Sequence, residues 1–412
     1  MPGSSVLNRV NYPKIIVRHE LGNLAEDTSE QTVTPGRLKC LDLYKGMAIM
    51  GVIITHLVLL QNGTDGVNND PSPVVQFMFS GLIMFMVVSG YFYKPGKTYL
   101  ENVKARAIPF FVIFLVASVL MTVIMYVYLL ALGYDLSSYD FGYVMSYSVL
   151  GTGCGLDLNS QAFIDACAIP APYQVTIQMY YLGLLALGYL IFYAVVDRVI
   201  SDWRKAVATI IILFFVTSAY LYFIHIQTPF YVHLAPMVAG FLLVGALMAK
   251  FKLAYRLENG LRKKEFWIAF AISIVVAAVC LVCFPANTDL TKSQLGDYGI
   301  FSIFTFAATS LSCGVVQLFL AAIFVKIPGW SHLFIAMGKD VLYLYLLHPL
   351  VAKMLVAPFV VLDTQHHIPL PFDQALILAF VTIAIIMVLA YVYKRLRNRC
   401  SEGPRGMAPA SI

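Results

Sequence analysis

The sequence predicts an all-α, polytopic membrane protein. Of its 412 residues, 60% are hydrophobic and only 12% are charged, whereas soluble domains carry about 25% charged residues. Ten apolar stretches are each long enough to cross a bilayer as a helix, the fold that satisfies backbone hydrogen bonds in lipid. No cleavable signal peptide is predicted, because the first apolar run begins only near Leu41, after a polar tail.

The ten predicted helices follow one another through most of the chain. They lie near residues 43–60, 74–93, 107–132, 178–196, 206–226, 232–249, 266–284, 300–325, 341–362 and 375–393. We therefore predict a membrane domain over residues 37–397, between an N-terminal tail (1–36) and a C-terminal tail (398–412). The one long connection, 133–177, joins the third and fourth helices.

The basic residues predict the orientation of these helices. Lys and Arg collect in cytoplasmic loops of membrane proteins, and 25 of the 28 here fall in the two tails and in alternate loops. This places both termini in the cytoplasm and the 133–177 loop outside. The net charge of +6 then reflects topology, and nucleic-acid binding is not predicted.

The first helix carries ionisable residues at membrane depth, where each is costly and is a functional hypothesis by default. Lys45 and His56 are eleven residues apart, or roughly 16 Å along a helix. His56 can act as a general base, or it can be an interhelical hydrogen-bonding residue. Asp42 shares a helix face with Lys45. It can neutralise Lys45 during insertion or take part in ligand binding, and the sequence leaves both open.

A group of cations is predicted at the cytoplasmic end of the domain. Lys45 lies in the first helix, with Arg37 and Lys39 just before it, and Lys104 and Arg106 stand before Pro109 at the start of the third. Such a group suits a polyanion such as a nucleotide, since Arg binds phosphate bidentately and Lys acts as a point charge. The alternative is the ordinary cytoplasmic bias and snorkelling of basic side chains.

Two further polar motifs interrupt apolar helices. Ser89-Gly90-Tyr91 ends the second helix, and Gly90 permits close helix approach. In the ninth helix, Pro349 follows His348 and is predicted to bend the helix and to free a backbone carbonyl near the imidazole. His348 is either catalytic or structural on this evidence.

The seven cysteines do not form a metal-binding pattern, and no metal is predicted. Cys154 and Cys167 both lie in the predicted external loop, where a disulfide can persist. Two free thiols are equally compatible with their spacing.

Together these motifs resemble the acyltransferase 3 family of integral-membrane acyltransferases. The resemblance rests on five segments in family order: Arg37 to Asp42, Lys45-Gly46 and His56; Phe85 to Ser89-Gly90-Tyr91; Lys104 to Pro109; Tyr180-Tyr181-Leu182-Gly183; and Gly338 to Tyr345 and His348. One departure is Lys104, which stands where the family often has an arginine.

The resemblance implies transfer of an acyl group, most simply acetyl, from cytoplasmic acyl-CoA to a hydroxyl of a cell-surface or lipid-linked glycan at the plasma membrane. The acyl-CoA is a donor substrate, and no permanently bound cofactor is implied. The implied partners are acyl-CoA, a glycan or glycolipid acceptor and membrane lipids, and a homo-oligomer is left open.

The resemblance also assigns roles to the residues above. Catalytic roles fall to His56 and Asp42, and substrate or structural roles to Tyr345 and His348. The residues implied to bind the donor are Arg37, Lys45, Ser89, Tyr91, Lys104 and Arg106. The alternative function is a transporter of a polar lipid, glycan precursor or ion. Transporters commonly show inverted repeats with matching interrupted helices, and the sequence shows no such pair.

Overall fold

A computed structural model describes residues 38–59, 73–133, 141–150, 179–284, 298–361 and 372–401. The predicted tail 1–36, Arg37 and the cysteines Cys154 and Cys167 lie outside these residues. The described residues form 14 α-helices: α1 Lys39–Leu59, α2 Pro73–Tyr91, α3 Tyr99–Asn102, α4 Ile108–Ala131, α5 Phe141–Leu150, α6 Tyr180–Val199, α7 Trp203–Phe223, α8 Ala235–Lys250, α9 Leu253–Asn259, α10 Lys264–Cys283, α11 Ser302–Phe324, α12 Trp330–Lys339, α13 Val341–Val361 and α14 Phe372–Ser401.

The predicted all-α, multi-span class is confirmed. Among the described residues, eight helices are long and apolar enough to cross a membrane, or nine if the bent pair α12–α13 counts as one span. The apolar part of α2, Gln76–Tyr91, is shorter. The count of ten spans and the orientation of the termini stay predictions. The last helix continues to Ser401, beyond the predicted domain boundary at 397.

The first helix, α1, lies at the centre of the bundle. Of its apolar window 72% is buried within the protein, against 17% for α10. It contacts α2, α11, α12, α13 and α14. The helix that carries Lys45 and His56 is therefore enclosed by other helices, whereas α10 presents most of its surface outward.

Close backbone contact joins α1 to α12. A β-carbon on Gly46 would lie 2.0 Å from the carbonyl oxygen of Phe334, and one on Gly338 would lie 1.7 Å from that of Asp42. Each helix contributes one glycine. The later residue of α1, Gly46, meets the earlier residue of α12, Phe334, so the two helices pack antiparallel. The apolar pattern predicts a loop between the helices at 300–325 and 341–362. This prediction is wrong for residues 330–339, which form a helix.

After α12 the chain bends by 85° into α13. The bend lies at Asp340, whose carboxylate pairs with Lys394 of α14. One arm of this bent pair contacts α1 near Lys45, and the other carries His348.

A second reciprocal glycine contact joins α2 to α8. A β-carbon on Gly90 would lie 2.0 Å from the carbonyl oxygen of Leu242, and one on Gly245 would lie 1.8 Å from that of Val87. The close helix approach predicted for Gly90 is confirmed. It fixes the neighbouring residues Ser89 and Tyr91 at the end of α2.

The basic run before Pro109 lies in an unusual helical turn. A capping box between Thr98 and Glu101 starts α3, and residues 103–107 continue as a π-helix before α4 begins. The wider π turn carries Lys104 and Arg106, both exposed. Single π turns inside helices are frequent at functional sites.

Part of the predicted external loop is helical. Within 133–177, residues 141–150 form α5, which packs on α4. The rings of Tyr126 and Phe141 lie edge to face at 4.7 Å between centroids. The remainder of this loop, apart from Gly133, lies outside the described residues.

Candidate active site

Two histidines from helices far apart in sequence meet inside the bundle. The ring centroids of His56 on α1 and His348 on α13 are 5.4 Å apart, and the ring planes differ by 24°. His56 is partly exposed, whereas His348 is 1% exposed. The Tyr345 ring lies 5.9 Å from that of His348. The structure therefore brings three of the sequence-predicted residues into one cluster.

The imidazole of His348 is held by its own helix. Its Nδ1 atom lies 2.8 Å from the carbonyl oxygen of Tyr345 and 3.0 Å from that of Leu344. Pro349 has no N–H to donate to Tyr345, four residues earlier, so this carbonyl lacks its usual helical partner. The freed carbonyl predicted near His348 agrees with this contact, and the bend predicted at Pro349 stays a prediction.

These two carbonyls determine which nitrogen of neutral His348 carries the proton. A carbonyl oxygen only accepts hydrogen bonds, so Nδ1 must be the donor and Nε2 must hold the lone pair. Nε2 is buried and has no hydrogen-bond partner among the described residues. Such an orphaned buried acceptor calls for an explanation, and a functional role is one of the usual ones.

Two other buried hydroxyls on helices that contribute to this cluster or contact it also lack a partner in the described part of the chain. They are the hydroxyl of Thr55, next to His56 in sequence, and the hydroxyl of Tyr181 on α6. The Tyr181 ring packs at 5.4 Å from that of Tyr345. Tyr181 thus connects to the cluster through the Tyr345 ring, and its hydroxyl is available to a polar ligand.

Sequence reasoning assigned no role to Lys353, which belongs to the same site. It lies on α13, five residues after His348, and is 4% exposed. It is close enough to His56 to interact electrostatically with the imidazole. The sequence does contain one indication of a role for Lys353, since a lysine in an otherwise apolar helix is costly in a membrane.

The second polar group on α1 lies near its first turns. Lys45 Nζ is 2.8 Å from a carboxylate oxygen of Asp42 and 6.0 Å from the centre of the Phe92 ring. The pairing expected from their spacing is confirmed. Fourteen residues separate Asp42 from His56, or about 21 Å of helix, so the structure separates the two candidate catalytic residues.

The motifs of α1, α2, α6 and α13 are thus parts of one bundle. A family model described as an acyltransferase domain matches residues 38–391, nearly the whole chain. The chain belongs to the acyltransferase 3 family. It is therefore a membrane acyltransferase. No curated protein and no solved structure gives a significant match.

In this acyltransferase, Ser89 and Arg106 meet at Tyr189 of α6. The Ser89 hydroxyl and the charge of Arg106 both act on Tyr189, and Arg106 also acts on Tyr193, one helical turn further. The rings of Tyr189 and Tyr193 are stacked at 5.3 Å. This hydroxyl-rich group lies beside the exposed π turn, at the end of the bundle predicted to be cytoplasmic.

Tyr91 and Lys104, two other predicted donor-binding residues, do not share the contact with Tyr189. Tyr91 interacts electrostatically with Cys40 at the start of α1, and Lys104 is exposed on the π turn. The acyltransferase thus has two polar regions connected by α1. One contains Asp42 and Lys45, and the other contains the histidine pair.

Proposed function

We propose that this acyltransferase moves an acetyl group from cytoplasmic acetyl-CoA to a hydroxyl of a cell-surface or lipid-linked glycan at the plasma membrane. The observation that carries the proposal is the layout of α1. One buried helix holds Lys45 near one end and His56 about 16 Å further on, a distance calculated from the helix rise.

Coenzyme A has an anionic nucleotide joined to a long, uncharged pantetheine arm that ends in the thioester. The cations Arg37, Lys45, Lys104 and Arg106 suit its phosphates, with arginine binding bidentately. The hydroxyls of Ser89 and Tyr91 are proposed to donate hydrogen bonds to the same nucleotide. A pantetheine arm is of the right length to carry the thioester from Lys45 to His56.

His56 is the proposed reacting group, because it is partly exposed and lies beside His348, whose buried Nε2 has no partner among the described residues. As a general base it takes the proton of the acceptor hydroxyl as that oxygen bonds to the thioester carbon. The C–S bond then breaks, and the leaving thiolate takes the proton from the imidazolium. Alternatively, His56 attacks the thioester and carries the acetyl group briefly itself.

Asp42 has a different role in this proposal from His56. Its carboxylate pairs with Lys45, far from the imidazole, so it is assigned to the donor end. Tyr345 lies beside His348 and is assigned to the acyl-transfer end. The acceptor glycan is proposed to approach from the outer ends of the helices and from the 133–177 loop.

The test is acyl transfer by the purified full-length protein in proteoliposomes. Radiolabelled acetyl-CoA is supplied with membrane glycolipid from the source cells, and label is measured in the lipid and glycan fractions. We expect transfer by the wild type and by His332→Ala, a control at an exposed histidine. We expect His56→Ala to reduce transfer about 100-fold or more, the usual effect of losing a general base.

Two results would contradict the proposal. Normal transfer by folded His56→Ala protein would remove His56 from the mechanism. Absence of transfer by the wild type from acetyl-CoA and from a longer acyl-CoA, alongside glycan flux into the vesicles, would favour the transporter alternative.

A further inference from the structure

His348 has a fixed tautomer and an unused acceptor directly beside His56. Its Nδ1–H is held by the carbonyls of Tyr345 and Leu344, and its buried Nε2 has no partner among the described residues. We propose that His348 is a positioning residue for His56. In the reacting complex, its Nε2 accepts a hydrogen bond from a ring N–H of His56, and the other His56 nitrogen faces the substrate.

The spacing of the two rings fits this bond. Two side-by-side imidazoles joined by an N–H···N bond of about 2.9 Å have centroids about 5 Å apart, since each nitrogen lies about 1.1 Å from its ring centre. The observed separation is 5.4 Å with planes 24° apart. Face-to-face contact would need about 3.5–4 Å between ring atoms. The observed centroid spacing is therefore compatible with the bond once the His56 ring turns.

Burial divides the roles of the two histidines. His348 is 1% exposed and is enclosed by α13 and α1, so a substrate hydroxyl does not reach its Nε2. His56 is partly exposed and has access to a ligand. The buried ring can therefore act on the reaction only through the accessible one.

The inference rests on the proposed function and adds one interaction to it. The hydroxyl proton passes to the substrate-facing nitrogen of His56 while the hydroxyl oxygen bonds to the thioester carbon. The departing thiolate then removes that proton. Throughout, the other nitrogen of His56 keeps its N–H and donates to His348 Nε2. This bond selects one tautomer of His56 and strengthens when the ring becomes charged.

Two substitutions of His348 separate this role from a structural one. Asparagine places an amide N–H near the position of Nδ1, so His348→Asn keeps the bonds to the backbone carbonyls but removes the acceptor at Nε2. Glutamine places an amide oxygen near the position of Nε2, so His348→Gln keeps the acceptor but loses the backbone anchor. The two variants therefore test the two nitrogens separately.

The experiment measures kcat and KM for acetyl-CoA in the full-length protein, together with Tm. We expect His348→Asn to lower kcat about 10- to 100-fold, the effect of losing one hydrogen bond to a charged group, with KM within about twofold of wild type. We expect His348→Gln to lie closer to wild type in kcat. In a His56→Gln background, His348→Asn should cause no further loss, because its effect passes through His56.

A purely structural His348 predicts the reverse order, with His348→Asn the more active variant, and that result would overturn the inference. A second measurement needs no variant. Solid-state NMR of the wild type with labelled histidine should show His348 protonated on Nδ1. Protonation of His348 on Nε2 alone would also overturn the inference. Absence of transfer by the wild type would instead contradict the proposed function.

Discussion

Gly338 packs so closely on Asp42 that a β-carbon at Gly338 would lie 1.7 Å from the Asp42 carbonyl oxygen. We expect Gly338→Ala to push α12 away from α1 and to destabilise the protein by about 1–3 kcal/mol, the usual cost of overpacking. Because Asp42 holds Lys45, KM for acetyl-CoA should also rise. Tm and KM of the purified protein measure both effects.

Gly183→Ala is the matched control for this substitution. A β-carbon at Gly183 would meet the side chain of Phe114 at 3.2 Å, and a ring can shift more easily than a helix backbone. Gly183→Ala should lower Tm less. Equal losses in the two variants would contradict a special role for the α1–α12 contact.

The ion pair of Asp42 and Lys45 can be tested by reversing it. Lys45→Ala should lower stability, because it removes a cation that pairs with the buried Asp42 carboxylate. Exchange of the two residues, Asp42→Lys with Lys45→Asp, keeps a pair and should restore much of the Tm. If Lys45 also binds the donor phosphates, KM for acetyl-CoA should stay about tenfold above wild type. Recovery of both Tm and KM would assign the pair to neutralisation alone.

Pro349 is predicted to act on catalysis through a backbone carbonyl. Pro349→Ala adds an N–H that competes with His348 Nδ1 for the Tyr345 carbonyl. We expect kcat to fall about tenfold, the equivalent of roughly one hydrogen bond, while Tm stays equal or rises because a helical bond is gained. Pro236→Ala, in the first turn of α8, is the control. Unchanged kcat in Pro349→Ala would show that the anchor does not depend on the proline.

Lys353 should contribute to the rate of transfer. The amino group of Lys353 interacts with His56, and in the proposed reaction its protonated form would stabilise the negative charge that develops on the thioester oxygen. Lys353→Met should therefore lower kcat by about 100-fold, as loss of such a group commonly does, and Lys353→Arg should retain more activity. The same change at exposed Lys326 should have little effect. A fall in Tm of Lys353→Met without a change in kcat would point to a packing role.

Local patterns in the sequence predicted much of the fold. Apolar runs located the long helices, a three-residue spacing predicted the pair of Asp42 and Lys45, and Pro349 predicted the freed carbonyl. Each of these depends on residues a few positions apart on one helix. The ten-residue helix α12 was not predicted, because it is too short to cross a bilayer and a search for long apolar runs passes over it.

The contact between His56 and His348 could not be predicted in this way. The two residues lie on α1 and α13, and no periodicity reports which helices become neighbours or how they rotate. The same reason explains why Lys353 received no role. Its significance comes from its position next to His56, which is a property of the assembled bundle.

The bent pair of α12 and α13 has a consequence for how mutations combine. Phe334 and Gly338 of α12 contact α1 beside Lys45, and His348 of α13 contacts His56. Substitutions this far apart usually have additive effects. Here one continuous segment, turned through 85° at Asp340, touches both ends of α1. Double-mutant cycles between the two ends should therefore give a measurable coupling energy, and substitution of Asp340 should reduce it.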